Sequence, residues 1–178
     1  SNWERPLYVA TTVGQENYFS LGDFFVTEGL AQRITPFNTK RSGRTIDVEK
    51  MYDNLMNRFK FGGLDKEGLY IDETLARLCW THRRLYAQLA SELLRQGDKT
   101  RALEVAQKII REIPEHTLPY TTNSMSPDLG NVLMACGEKK QGEDMLTKTV
   151  QTCLEYLDYY LSLSDTRFKA AYRDIDIN

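Results

Sequence analysis

Arg83–His116 reads RRLYAQLASELLRQGDKTRALEVAQKIIREIPEH, and this stretch decides the fold. Tyr86, Leu89, Ala90 and Leu93 recur at helical spacing up to Gly97, and Ala102, Ala106 and Ile109 do so again before Pro114. Gly97 stops the first helix, Asp98 is placed to cap the second, and Pro114 closes it. The turn between them is too short for anything but an antiparallel return. Ala90, Ala102 and Ala106 are small where the two helices cross, so their backbones come close together.

The unit recurs downstream. Aligning Gly137 on Gly97 sets Gly130 opposite Ala90 and Gly142 opposite Ala102. Small residues thus return at the same crossing positions. Ser126-Pro127-Asp128 starts the third helix with Ser at the cap and Pro at the first position. Lys139–Ser164 forms the fourth, and a short charged tail follows from Asp165. The pattern resembles the tetratricopeptide repeat of about 34 residues, which builds scaffolds and grooves rather than reaction centres. Two units fall below the three or so that a free-standing array needs, so the remaining chain is expected to buttress them.

Upstream, Leu7–Val13 is β-branched and aromatic and ends at Gly14, which predicts a strand. Asn17–Glu28 sets Tyr18, Leu21, Phe24, Phe25 and Glu28 at helical spacing with Gly29 as C-cap, and Leu30–Phe37 reads as a second strand. Together they predict a small βαβ element. Asn38–Arg44 (NTKRSGR) reads as a mobile loop. Asp47–Phe61 carries an apolar stripe of a helix stopped by Gly62-Gly63, Leu69–Ile71 is extended, and Asp72 caps the long helix ending at Gly97. The fold class is mainly α: tetratricopeptide-like antiparallel helix hairpins with a small N-terminal βαβ element. The expected organisation is a cap at 3–45, a helical repeat region at 46–165 integrated with it, and a tail at 166–178.

Composition narrows function. Of 178 residues, 41% are hydrophobic and 27% charged, which is ordinary globular usage and argues against disorder. The formal charge of −2 and the lack of long Lys/Arg blocks exclude a phosphate-neutralising face, so no nucleic-acid partner is expected. No run approaches the ~18 apolar residues of a membrane helix. Ser1-Asn2 reads as a cleavage scar on a soluble piece of a longer protein. Cys79, Cys136 and Cys153 fit neither a zinc motif nor a disulfide framework and are expected to be free, buried apolar groups.

Signatures of catalysis are missing from the sequence. His82 and His116 have no partner at ligand spacing, and there is no nucleophile elbow or phosphate loop. No metal site or cofactor is expected. Gly62-Gly63 reads as a helix stop rather than an anion cradle. Asp174 and Asp176 are too close to the chain end to serve as a glycosidase pair. The stripe Leu154, Tyr156, Leu157, Tyr159, Tyr160 and Leu161 reads first as core, and otherwise as a surface for stacking on a peptide or sugar. Asp53, Asn57 and Arg58 share a helix, with Asp53 and Asn57 one turn apart. With Arg33 and Tyr70 they are the candidate binding residues.

Three motifs also resemble one family: Trp3–Ala10 (WERPLYVA), Gly29–Pro36 (GLAQRITP) and Tyr52–Phe59 (YDNLMNRF). Tyr70–Glu73 and Asp158–Leu163 fit the same pattern. The family is similar to the C-terminal soluble region of Bacteroidetes-type multi-pass membrane proteins of unknown function. Their membrane part is similar to protein O-mannosyltransferases. Where that family usually shows Tyr, this chain has Gln32, which removes a stacking group. The resemblance implies a periplasmic domain on the inner membrane, attached through a preceding membrane part that would carry any sugar transfer. It implies no catalytic residue here. The resulting expectation is a non-catalytic accessory domain whose partner is a protein, a peptide acceptor or its own membrane portion. The alternative is a carbohydrate-binding or carbohydrate-active domain.

Overall fold

The structure, a computed structural model, describes residues 4–175, with side chains described as far as Ala171. The chain divides into two compact units, residues 1–60 and 61–178.

The first unit holds β1 (Tyr8–Ala10), β2 (Phe25–Thr27) and β3 (Ala31–Ile34) in one sheet of order β1-β3-β2. Both pairings are antiparallel, with Val9 opposite Gln32 and Val26 opposite Arg33. The expected strands at Tyr8-Val9 and Ala31–Ile34 therefore pair, but Val13 lies beyond β1 in a bend. The βαβ expectation is overturned, because no helix crosses over between parallel strands. Asn17–Glu28 instead forms two 3-10 turns, Gln15–Asn17 and Gly22–Phe24, and then β2. Phe19 and Ser20 have φ of 45° and 66°, which no helix accommodates. β-branched Val26 and Thr27 find ladder partners on β3, and the hairpin is turned by Gly29, whose φ is 138°.

Asn38–Arg44 is not a plain loop. It contains α1 (Thr39–Ser42), capped by Asn38 Oδ1 accepting from the Arg41 N–H at 2.7 Å. Thr39 is buried and donates to the Phe25 carbonyl at 2.7 Å. The Asp47 helix forms as α2 (Val48–Asp53), with Asp47 capping the Lys50 N–H, and continues through a π turn at Asn54–Arg58. It ends at Phe59, before the two glycines, because Phe59 is extended. Met51 and Leu55 are fully buried on its inner face beside Val48.

The second unit is helical: α3 (Glu73–Arg95), α4 (Lys99–Glu112), α5 (Ser126–Ala135), α6 (Lys139–Ser162) and α7 (Asp165–Ile175). Asp72 and Asp98 cap α3 and α4 as their positions predict, accepting from the N–H groups of Leu75 and Arg101. α3 packs on α4, α5 on α6, and both α3 and α4 on α5. Leu85, Tyr86, Leu89 and Leu93 are buried along α3, each worth roughly 1.5–3 kcal/mol of transfer. Ala90, Ala102 and Ala106 are fully buried. The glycines carry the tightest approach. A Cβ at Gly142 would stand 2.5 Å from the Gly130 carbonyl oxygen.

Two expectations fail at helix ends. Ser126 is not the cap of α5 but its first residue; left-handed Met125, φ 54°, precedes it, and Pro127 takes the second position. Ser126 is spent in a buried cluster with Ser124 instead, Oγ to Oγ 2.8 Å. Asp165–Ile175, expected to be a charged tail, is helical.

Candidate functional site

Arg33 on β3 does not project freely. Its Nε donates to Glu28 at 2.5 Å, and its other end stands 3.8 Å from Asp47. Glu28 lies in the turn after β2 and also accepts from Tyr8 Oη at 3.1 Å and Lys50 Nζ at 3.3 Å. Burial pushes the Glu28 carboxyl up, but hydrogen bonds from Arg33, Lys50 and Tyr8 outweigh it and hold the group below its ordinary value. The Glu28 carbonyl accepts from Asn54 at 2.7 Å, which fixes the start of the π turn against the hairpin. Sequence reasoning placed Glu28 on a helix and so missed it as the centre of this cluster.

The π turn brings three candidate residues together. Asn57 donates to Asp53 at 2.9 Å, and Arg58 pairs with Asp53 at 2.6 Å. The Asn57 amide, and less so Arg58, holds the Asp53 carboxyl below its ordinary value. All three are solvent-facing, so the arrangement is a surface polar cluster. Tyr70 belongs to the second unit, ahead of α3, and is 91% exposed. Arg33 thus joins the Glu28 cluster, Asp53, Asn57 and Arg58 form a second group, and Tyr70 stands apart in sequence and unit.

The aromatic stripe of α6 is not core. Gly142, Met145 and Thr149 are buried in the first half of the helix, whereas Val150, Leu154, Tyr156, Leu157, Tyr159 and Leu161 are all exposed. Two grooves flank this second half. One, of about 440 Å³, is lined by Pro119, Thr152, Glu155, Tyr156 and Tyr159. The other, of about 470 Å³, runs past Pro127, Leu146, Val150, Leu154 and Leu157 and is almost wholly apolar. Helical spacing predicted a stripe here, but spacing cannot report whether another element covers it.

Arg83 is the residue that sequence reasoning did not single out. It is 1% exposed, and its guanidinium donates to the carbonyls of Ile113, Leu118 and Pro119 at 2.9–3.0 Å. It also reaches Ser124 Oγ at 3.4 Å and lies 5.0 Å from the Tyr120 ring centre. Burial lowers its pKa to about 10, so it stays charged at neutral pH. This is a structural clamp on the loop between α4 and α5.

Of the cysteines, only Cys79 is buried, with its thiol pushed up by that burial; Cys136 is half-buried and Cys153 exposed. The expectation of three buried thiols therefore holds for one. His82 Nδ1 lies 2.7 Å from the Leu78 carbonyl, and His116 Nε2 lies 3.2 Å from that of Asp65. Among the described residues no group of three or more His, Cys, Asp or Glu is arranged to hold a metal ion. Trp3, the Asp174 side chain and Asp176 lie outside the described residues. No helix among those described is long and apolar enough to cross a membrane.

A family model, TMEM260-associated domain 2, matches residues 1–53. No curated protein and no solved structure matches the chain. The matched segment covers the sheet, the Glu28 cluster and α2, and its similarity is to a domain associated with a membrane protein.

Proposed function

We propose that this chain is a non-catalytic accessory domain of a membrane glycosyltransferase-like protein, built from tetratricopeptide-like helix pairs and lying on the periplasmic side of the inner membrane. It binds a protein or peptide: an acceptor, or the membrane portion of its own protein. One observation carries the binding role, the bare apolar second half of α6. Apolar side chains at one-turn spacing along a free helix face are the anchors by which a second helix or peptide docks. The match of residues 1–53 to a TMEM260-associated domain supports attachment to a membrane protein. The experiment is co-purification of the full-length membrane protein, with and without this region, using Leu154→Lys/Leu157→Lys as the discriminating variant. Loss of a partner with that variant is expected. Retention of every partner would sink the reading.

A second reading rests on the groove with Tyr156, Tyr159 and Glu155, which joins two aromatic rings to a carboxylate. That chemistry suits a sugar, with stacking on the rings and hydroxyls donated to the carboxylate. Titration of the 178-residue chain with a panel of monosaccharides and short glycans tests it. Binding lost in Tyr156→Ala would favour this reading over the peptide one. Neither reading assigns turnover, and a screen against chromogenic glycosides, peptides and lipid-linked sugar donors is expected to give none.

A further inference from the structure

The register of the small sheet brings the start of β1, the end of β3 and the start of β2 to one end, since Tyr8 pairs with Arg33 and Phe25 with Ile34. Three chain segments meet the sheet there, and each carries exposed apolar side chains. Leu7 precedes β1 and is 58% exposed. Phe37 follows β3 and is 73% exposed, although Thr35 and Thr39 on either side of it are buried. The Thr35 N–H donates to the Phe24 carbonyl at 2.9 Å and the Thr39 hydroxyl to that of Phe25 at 2.7 Å, so both flanks of Phe37 are pinned. Phe19, 85% exposed, and Leu21 lie in the segment that leads into β2. The φ of 45° at Phe19 is one that an aromatic residue rarely adopts, and Tyr18 beside it packs edge-on against Phe25 at 4.8 Å. Both phenylalanines are thus exposed on backbone that is itself anchored.

The same end is basic on one side. From Thr35 to Ile46 the chain has Lys40, Arg41 and Arg44 and no carboxylate. The Arg44 N–H donates to the Thr39 carbonyl at 3.0 Å, which keeps Arg44 beside α1 with the other two. All three are exposed. Lys40 stands 3.5 Å from Asp23, whereas Arg41 and Arg44 form no side-chain ion pair with a described residue. Glu4 adjoins Arg5, and Glu16 lies in the 3-10 turn before Tyr18, where it accepts from Asn17 at 3.0 Å. The positive excess therefore sits on α1, next to Phe37.

We propose that this end of the sheet is a contact for an anionic bilayer. Leu7, Phe19, Leu21 and Phe37 enter the boundary between headgroups and acyl chains, while Arg41 and Arg44 meet lipid phosphates. The apolar side chains come from three separate segments. A fluid interface takes them one by one, whereas a protein would need a matching pocket for each. Aromatic rings favour that depth, and each Lys or Arg near an anionic surface adds attraction. The match of residues 1–53 to a domain associated with a membrane protein agrees with a bilayer close by. This goes beyond the docking reading: the contact is with lipid, and the sheet unit makes it rather than α6.

The test is co-sedimentation of the 178-residue chain with phosphatidylcholine vesicles and with mixed phosphatidylcholine–phosphatidylglycerol vesicles. The variants are Phe19→Asn/Phe37→Ser, Arg41→Glu/Arg44→Glu and Leu154→Ser/Leu157→Ser, with circular dichroism confirming the fold of each. Asn is chosen at position 19 because it tolerates the left-handed backbone. The parent chain is expected to bind the anionic vesicles and to release them as salt is raised. Each sheet-unit variant should bind about tenfold or more weakly, and the α6 variant should bind as the parent does. No binding to anionic vesicles, or equal binding to neutral ones, overturns the proposal. Binding lost only in the α6 variant moves the lipid contact to the helical unit and overturns it too. Binding of polyglutamate that Phe19→Asn/Phe37→Ser leaves intact, with no vesicle bound, assigns the basic side to an acidic protein instead. The co-purification that tests the docking reading changes α6 alone, so either idea can fail without the other.

Discussion

Glu28 in the sheet unit and Arg83 in the helical unit are both buried ions, 6% and 1% exposed, yet their surroundings differ in kind. Glu28 meets two cations and a phenol carried on separate elements, and both cations extend partly into solvent. Among the described residues Arg83 has no carboxylate within hydrogen-bond reach. Backbone carbonyls of Ile113, Leu118 and Pro119 neutralise it by geometry. The first arrangement ties strands and a helix together with groups that respond to pH and salt. The second makes the conformation of one loop depend on one side chain. It also fits the apolar content of each unit: the small sheet unit leans on polar contacts, while the helical unit closes around a dense core.

The sharpest way to break the contrast is Arg83→Met. Removing the guanidinium strands the carbonyls of Ile113 and Leu118, which it meets in buried hydrogen bonds, and frees that of Pro119, so the substitution should cost about 3–5 kcal/mol in urea unfolding. Arg83→Lys should not rescue it, since a point-like ammonium cannot reach acceptors spread around a planar fork. A loss under about 1 kcal/mol would mean that the loop holds itself without the clamp.

Gly142→Ala tests the close packing of the same unit. Alanine gains up to about 1 kcal/mol of helix propensity. Its Cβ would nevertheless sit 2.5 Å from the Gly130 oxygen and from Met134 Cγ, so a net loss of about 1–3 kcal/mol is expected. Gly130→Ala is the milder counterpart: its new carbon meets Leu146 side-chain atoms at 3.1–3.2 Å and the Gly142 carbonyl oxygen at 3.2 Å. Its melting temperature should fall by less than that of Gly142→Ala.

Glu28→Gln should cost about 1–2 kcal/mol at neutral pH, seen as faster amide exchange in the three strands. The folded carboxyl is held below its ordinary value, so its stabilisation is fully present above the unfolded pKa, roughly 4.3, and is lost as pH falls through the lower folded value. The gap between parent and variant should therefore close in acid. A gap unchanged from neutral pH into strong acid would remove the ionic account of this unit. The smallest effect belongs to Leu154→Ala, on the bare part of α6, which should alter stability by no more than about 0.5 kcal/mol. A larger loss would show the strip to be covered by the chain itself.

Legibility followed the range of the interaction. The caps at Asp72 and Asp98 were readable because each bonds an N–H three residues ahead. The Asp53–Asn57 contact, one turn apart, was readable for the same reason. The residues of Asn17–Glu28 misled, since their helical spacing is set aside by left-handed Phe19 and Ser20 and by pairing with β3. Arg83 left no local signal at all: its acceptors lie 30 to 41 residues away and most are backbone atoms, identical in every residue.

By itself the amino-acid sequence determined the helices from α3 to α6, their stops at Gly97 and Gly137, and the small residues Ala90, Ala102, Ala106, Gly130 and Gly142. Periodicity, capping and side-chain size act within a few residues and are written in order along the chain. Only the tertiary structure decided that Glu28 and Arg83 are buried ions, that β1 and β2 flank β3, and that the apolar stripe of α6 is bare. Burial depends on what else arrives at a surface. An apolar stripe has the same spacing whether a neighbour covers it or leaves it open to a partner.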